Sequence, residues 1–572
     1  ARSASCSAPT SAPAQASAGT STPVQTPVDG SAAGGPAANT PLNGNVVTEV
    51  GTRLGLTARE TPASIDVIDR QTIQDRGLRT TTDVAQGAVG VTAGDAPGAA
   101  AAFSMRGFTG TQINTLYNGI KIGPSEMTGR IMDTFNLDRV EILKGPASLL
   151  SGEGAIGGTV NYVTKAPGDE FAGSVSADIA AYQTNETRLM LEGPIAGNNL
   201  KARFSLRRYS TAGQYQTGVS HTPLGAQQTT VATLALTSAP SEKLDLSAYL
   251  SYSLNDDGPA SGTGIRNNFG QGGATFNCNL GGTFGPYYCG ELPKFSQLNN
   301  PGLGNVNVMN DFTYRELVLN VRGAYAPFSS DWIDHYGTKA EVKHFHGRAE
   351  YRTDGGWEAA LLIGASSNKY TSIIGRDFYD SSNVVNPFFT ANAACVAGSA
   401  ACIIPANPQL TTHQSSLTNE GSIEARLSTP QTWKLRGTVG ASYYRVTGPA
   451  GSSWGIQNSG RLASAGGNGL RSSVSTPAIF GGAYWDATQK LKLSLEARYQ
   501  WDGIAQQNFF PTATARLSGR FGSFSPRFTA DYTLPNGSLL YGTFSRGYRP
   551  GGFNAALLGI TPFVAAQLSA LG

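Results

Sequence analysis

The sequence predicts a mainly β protein, a transmembrane antiparallel β-barrel preceded by a small α+β domain. Three observations carry that reading. Long segments after residue 170 alternate apolar and polar side chains with a period of two, the period of a strand. Trp433 and Tyr443 share one apolar face ten residues apart. At about 3.3 Å per residue and a tilt near 40°, that separation projects to about 25 Å, the height of a lipid-facing band between aromatic girdles. Connections between segments alternate short and long, as the turns and outer loops of a barrel do.

Composition agrees. At 572 residues the chain exceeds one ordinary domain, although a large barrel uses most of that length. It contains 71 glycines, and 14% of its residues are charged, against about 25% in soluble domains. Mean hydropathy is −0.19, and no run of about 18 apolar residues occurs, which excludes a transmembrane helix. A formal net charge of +3 with no basic cluster gives no footing for nucleic-acid binding.

The five cysteines are Cys6, Cys278, Cys289, Cys395 and Cys402. The two close pairs predict local disulfides, Cys278–Cys289 and Cys395–Cys402, and an oxidising compartment, with Cys6 left over. Zinc is the competing reading. Neither pair has the tight spacing of zinc ligands and no second ligand pair lies beside either, so no metal site is expected.

Residues 1–44 are Ala, Ser, Thr, Pro and Gly with almost no large apolar side chains, and they are expected to be disordered. Ala14-Gln15-Ala16 has the small residues of a signal-peptide end, but no apolar core precedes it, so no signal peptide is read in the given chain. Residues 45–50, from Asn45 to Val50, are the first strand-like run. Thr61 to Asp69 then reads as a strand, and Arg70 to Asp75 as the start of a short helix with Asp69 as its N-cap. Ser104-Met105-Arg106-Gly107-Phe108 follows, then a hairpin around Asn118-Gly119.

The densest signal is Asp138-Arg139-Val140-Glu141-Ile142-Leu143-Lys144-Gly145-Pro146, continued by the glycine-rich run from Gly152 to Lys165. Gly152 to Gly157 matches G-x-G-x-x-G, yet Thr159-Val160-Asn161-Tyr162-Val163 is β-branched and alternating. A strand follows rather than a helix, so the nucleotide reading fails. The whole block resembles the end of the plug domain of TonB-dependent outer-membrane receptors. The Ser-Met-Arg-Gly-Phe, Tyr-Asn-Gly and Arg-Val-Glu-Ile-Leu-Lys-Gly-Pro segments resemble the ferric-siderophore subgroup most. The resemblance places a plug domain at 51–168, in the lumen of a barrel built from 169–572.

The later segments test that expectation. Lys492, Ser494, Glu496, Arg498 and Gln500 share one face, opposite Leu491, Leu493, Leu495, Ala497 and Tyr499. Residues 434–444 and 200–207 repeat the pattern. So do residues 342–352, where His344, His346, Arg348, Glu350 and Arg352 oppose Phe345, Gly347, Ala349 and Tyr351. The pair His344 and His346 is read as a polar lumen face rather than a metal pair. Sandwich strands average only about five to six residues, too short for these segments. Short links fall at 194–199, 239–242, 428–432, 486–489 and 534–537, and long ones at 255–312, 371–414 and 447–472. Both cysteine pairs lie in the two longest links, where a disulfide staples an outer loop. About 14 or 15 strands can be marked, against about 22 in a complete plugged transporter. The segment Tyr548 to Asn554 resembles a late-middle barrel segment, so the chain is expected to be C-terminally truncated and unable to close alone.

No enzyme motif occurs, so function is expected to be transport. The resemblance implies active uptake of a ferric siderophore across the bacterial outer membrane. Inner-membrane proton motive force would drive it through TonB with ExbB and ExbD, into a monomeric receptor set in outer-membrane lipid. Iron would arrive chelated, with no intrinsic cofactor. Cobalamin or an oligosaccharide carried by the same architecture is the alternative, and a passive porin would leave residues 46–168 without a role. A transducer that signals to a regulator would need an extra folded domain before the coupling segment, which the N-terminal tail is too poor in apolar residues to form. In the family a short N-terminal segment pairs edge-on with the coupling protein, which points to Val46, Val47, Thr48, Glu49 and Val50. Outward plug loops would touch the cargo through Asp95, Thr109, Gln112, Glu126, Met127 and Arg130. Arg106 and Lys144 match plug positions that pair with wall carboxylates, for which Glu424 and Glu496 are candidates.

Overall fold

The computed structural model describes residues 46–51, 56–94, 102–109, 112–122, 134–146, 155–197, 199–216, 223–259, 333, 335–375, 409–458, 461–510, 513–549 and 551–553. Two large sheets organise them.

The first sheet belongs to a small α+β unit. It contains β1 (Ser64–Asp69), β5 (Ile113–Tyr117), β6 (Ile120–Ile122), β7 (Leu137–Lys144) and β8 (Gly158–Thr164) in the order β1-β7-β8-β5-β6. A smaller sheet adds β2 (Val91–Gly94), β3 (Ala102–Met105) and β4 (Phe108–Thr109). Helix α1 (Arg70–Asp75) starts as its sequence predicts, with the Asp69 carboxylate accepting from the Thr72 amide at 2.8 Å. Helix α2 (Thr81–Gln86) carries a reciprocal Thr80–Asp83 capping box. Ile68, Ile73, Val84, Met105, Val140 and Tyr162 close the core between the helices and the sheet. At the glycine-rich run, Gly158 has φ +156, and a Cβ there would stand 2.2 Å from Met105 Sδ and 2.3 Å from the Leu143 carbonyl. That glycine serves strand packing, in keeping with a strand rather than a helix after the turn.

The second sheet is a wall of thirteen strands. It runs through β9 (Ala172–Ala180), β10 (Thr184–Ala196) and β11 (Leu200–Thr211), beyond which β12 (Tyr215–Gln216) and β13 (Pro223–Leu224) form a separate short ladder. It continues through β14 (Gln227–Ser241), β15 (Leu244–Asp257), β16 (Gly337–Arg352), β17 (Glu358–Gly375) and β18 (Gln409–Ser428). The last five are β19 (Leu435–Asn458), β20 (Arg461–Asp486), β21 (Leu491–Phe510), β22 (Leu517–Thr533) and β23 (Leu539–Ser545). Each wall strand pairs antiparallel with the next, and β9 and β23 are the two edges among the described residues.

The period-two reading holds along the wall. Glu496, Arg498 and Gln500 are buried against the inner side, while Leu495 is 60% and Val439 63% exposed on the outer side. Trp357, Trp433 and Trp485 stand outward beside the short turns, with Trp357 and Trp433 in edge contact at 5.9 Å. Tyr443, Tyr499 and Trp501 make the opposing outward group. These are the two girdles that the Trp433–Tyr443 spacing anticipates.

One connection differs from expectation. Residues 447–472 are not a loop, because β19 and β20 continue as one ladder from Thr447↔Ser473 to Asn458↔Arg461. Their sequence is rich in Gly and Ser and shows no sustained apolar–polar alternation, so the pattern that marks the other strands is missing although the strands are not.

Candidate functional site

Two of the contacts between the small unit and the inner face of the wall are joined through β7 and β8. At the first, residues 46–48 pair with residues 56–58. The Thr48 amide donates to the Leu56 carbonyl at 3.0 Å, and the Ala58 amide to the Val46 carbonyl at 2.9 Å. Glu141, buried in the middle of β7, accepts from the Glu49 amide at 2.9 Å and the Val50 amide at 3.2 Å. The same carboxylate accepts from Asn161 Nδ2 at 3.1 Å and Arg139 Nε at 2.8 Å. Arg139 also donates to the Val47 carbonyl at 3.1 Å. From the wall, Arg348 Nη1 pairs with Glu49 Oε1 at 2.9 Å, and Arg527 donates to the Gly51 carbonyl at 3.3 Å. Thr48 and Val50 are buried as a result.

Burial pushes the Glu141 carboxyl above the usual glutamate range, against the opposing pull of Arg139 and of the amide donors. The carboxylate is therefore a desolvated socket. It satisfies backbone donors that no strand pairs, yet its charge sits where water cannot reach.

The second contact is the β5–β6 hairpin. Asn118 (φ 46) and Gly119 (φ 74) adopt the left-handed pair that a two-residue hairpin needs. The hairpin tip presses against β15 to β17. Tyr117 stacks on His344 at 4.6 Å, and Ile120 packs with Ala360 and Leu362. Asn118 Nδ2 lies 2.7 Å from His346 Nε2, and Arg348 Nη2 donates to the Asn118 carbonyl at 3.3 Å. The Gly119 amide donates to Asn161 Oδ1 at 2.9 Å, so Asn161 bridges the hairpin to Glu141. On the wall, Gly364 leaves the space that Ile120 occupies. A Cβ at Gly364 would stand 2.8 Å from Ile120 Cγ2. Gly364→Val is expected to cost about 1–3 kcal/mol of docking by overpacking and to lower the thermal midpoint of the purified receptor. An unchanged midpoint would show that the hairpin does not bear on this wall.

The sequence candidates fall as follows. Val46 to Val50 all lie in the socket. Lys144 Nζ sits 2.6 Å from Asp66 Oδ2, so its partner is β1 of its own unit and not a wall glutamate. The reason is register: Ser64↔Lys144 pairing brings Asp66 two residues along on the same face. Arg106 (φ 50) occupies an exposed tight turn between β3 and β4. Glu496 is paired with Arg527 of the next strand and accepts from Tyr484 Oη at 2.7 Å. Glu424 lies 3.5 Å from Arg426 and shares a small inner cavity with Lys121, Tyr444 and Arg498. Thr109 and Gln112 are together, the Thr109 amide donating to Gln112 Oε1 at 3.2 Å. Asp95, Glu126, Met127, Arg130 and all five cysteines lie outside the described residues.

Sequence reasoning missed Glu141, Asn161, Asn118 and Arg348 as site residues, although all four stood in quoted segments. The available signal was parity. Arg139 and Glu141 share one face of β7, and Asn161 is the β8 residue paired with Glu141.

A strand wall that is polar inside and apolar outside, with a folded unit docked on its inner face, defines a plugged membrane β-barrel. Comparison with known families makes this specific. Residues 57–159 match the TonB-dependent receptor plug domain, and residues 251–567, more than half the chain, match the TonB-dependent receptor-like β-barrel. The chain belongs to the TonB-dependent receptor family, whose members are outer-membrane β-barrel transporters rather than enzymes and act with TonB.

Curated relatives include the ferripyoverdine receptor of Pseudomonas aeruginosa, 35% identical over 28% of this chain and 20% of that receptor. Another is a probable TonB-dependent siderophore receptor, PiuA, of Acinetobacter baumannii, 31% identical over 26% of this chain and 19% of that protein. The matched stretch thus spans about a fifth of these relatives. Among solved structures, the outer-membrane ferripyoverdine receptor of P. aeruginosa bound to ferripyoverdine aligns with a TM-score of 0.64 at 19% identity. That alignment covers 88% of this chain and 59% of that one. The siderophore receptor PiuA from A. baumannii aligns at 0.61 and 14% identity, covering 91% of this chain and 70% of that one. These likenesses show the fold.

Proposed function

We propose that this chain is part of a receptor that takes up a ferric siderophore across the bacterial outer membrane. Proton motive force at the inner membrane drives it through TonB, ExbB and ExbD. The observation that carries the coupling half of this reading is the socket around residues 46–50. A segment held by a few hydrogen bonds to Glu141, Arg139 and Arg348 is a handle: pulling it loads β7 and the wall together. Once undocked, Val46 to Val50 offer unpaired backbone for edge-on pairing with a periplasmic partner. The cargo half is supported by the relatives whose names specify ferripyoverdine and siderophores.

In this reading 51–168 is the plug and 169–572 contributes wall, and the receptor works as a monomer. Cargo is met by plug apices that include Asp95, Thr109, Gln112, Glu126, Met127 and Arg130. The disulfides Cys278–Cys289 and Cys395–Cys402 brace outer loops. Iron is cargo, chelated by the siderophore, so the protein supplies no ligands to it. Uptake of radio-iron presented on a panel of chelates, in a deletion strain complemented with the receptor, tests the reading. One ferric siderophore should be accumulated, while cobalamin and oligosaccharides should not.

A further inference from the structure

The hydrogen bonds around the hairpin tip determine where the protons sit on His344 and His346, two buried imidazoles that the uptake reading does not use. The Thr164 amide donates to Asn118 Oδ1 at 2.9 Å, which fixes the orientation of the Asn118 amide. Asn118 Nδ2 therefore faces both Thr164 Oγ1, at 2.8 Å, and His346 Nε2, at 2.7 Å. Because Nδ2 can only donate, His346 Nε2 accepts and the His346 proton lies on Nδ1. That Nδ1 is 2.9 Å from His344 Nε2, which must accept in turn, leaving the His344 proton on Nδ1. His344 Nδ1 is buried with no hydrogen-bond partner. The chain Thr164–Asn118–His346–His344 thus runs in one direction, and every lone pair available to a further proton is already used inside it.

We propose that His346, with His344 behind it, is an acid-sensitive lock that holds the β5–β6 hairpin of the plug on the wall. A proton added to His346 can go only to Nε2, where it would face the Asn118 N–H donors. Two donors cannot share that 2.7 Å contact, so charging His346 breaks it and removes a hydrogen bond that holds the hairpin. The cation would also form beside Arg348, next on the same face of β16, which already donates to the Asn118 carbonyl. The other ionisable groups around the pair are Tyr117 on the hairpin, Tyr162 on β8, Tyr249 on β15, and Glu49 and Glu350 beside Arg348. Lys121 on the hairpin points away, over the Tyr444 ring at 4.5 Å. Released from the wall, an imidazole titrates between about pH 8 and about pH 5, so acid favours the undocked hairpin. Glu141, raised by burial and tied to the hairpin through Asn161, is the other group that responds toward that range, with the opposite sign. Since Asn161 and Arg348 tie the hairpin to Glu141 and Glu49, loosening the lock also loosens the 46–50 socket.

The test is native-state amide exchange at Asn118 and Gly119 in the purified receptor. These amides donate to the Tyr162 carbonyl and to Asn161 Oδ1 in the docked hairpin. After correction for intrinsic chemistry, exchange should rise about tenfold or more between about pH 8 and about pH 5. In His346→Gln, whose amide oxygen accepts from Asn118 at any pH, exchange should stay flat. Flat exchange in the wild type, or an equal rise in His346→Gln, would overturn the lock. Nitrogen-labelled histidine NMR of the wild type at neutral pH supplies a second readout that needs no variant. The lock requires the Nδ1–H tautomer at both rings, and an Nε2–H tautomer at His346 would overturn it.

Discussion

Glu141→Ala is expected to release residues 46–50 from the lumen and to cost the plug about 3–5 kcal/mol, the range for removing one partner from a buried charged network. The carboxylate gathers four donors, two of them backbone amides of the N-terminal segment. Without it, the Glu49 and Val50 amides and the Asn161 side chain are buried with nothing to accept from them. Amide exchange at Glu49 and Val50, and cleavage of the segment by a protease, should both approach the rates of an undocked chain. Protection that survives the substitution would mean that Arg348 and Arg139 alone hold the segment.

The same residue predicts a pH dependence with a defined sign. Burial raises the Glu141 carboxyl above its unfolded value, so the folded plug holds that proton more tightly than the unfolded chain does. The associated stability is fully present below the ordinary glutamate value of 4.5 and is lost as pH rises through the raised folded value. Glu141→Gln removes this group from the titration, so the fall in plug stability across that window should flatten. A thermal-melt series over pH on both proteins reads the difference. This trend opposes that of the His346 lock, which weakens on acidification, and the two are separated by their variants, since Glu141→Gln removes one titrating group and His346→Gln the other.

The second large effect is expected at Glu496. Removing its side chain strands Arg527 in a buried position between β21 and β22, beside Tyr484 and the Gly51 carbonyl. Glu496→Ala should cost about 3–5 kcal/mol by the same reasoning. A double-mutant cycle discriminates the pairing. Glu496 with Arg527 should show strong coupling, whereas Glu496 with Lys144 should be additive, because Lys144 is committed to Asp66. Coupling between Glu496 and Lys144 would reinstate a direct plug-to-wall latch at that position.

These outcomes mark what could be read along the chain and what could not. The wall was legible because lipid on one side and a polar interior on the other impose a strict period of two. Leu495 and Glu496 show it in adjacent residues. The Asp69 cap and the Asn118-Gly119 turn were legible because their chemistry is local, confined to a few consecutive residues. Partners across the lumen were not legible. Lys144 and Glu496 each look like one half of an ion pair, but which carboxylate meets which cation depends on strand register and on how the plug is seated. No local pattern encodes either. The ladder of β19 and β20 over 447–472 escaped for another reason: its Gly- and Ser-rich run carries no sustained alternation from which a strand could be read.

In the proposed function, residues 46–50 transmit inner-membrane energy to a receptor for a ferric siderophore. The most direct measurement is radio-iron uptake by energised cells expressing the receptor, compared with protonophore-treated cells and with a Val47→Pro receptor. Proline at that position removes a backbone donor from the segment that a partner strand would pair with. Siderophore binding at the surface is expected in all three cases and accumulation only in the energised wild type. Accumulation that persists with protonophore or with Val47→Pro would contradict it.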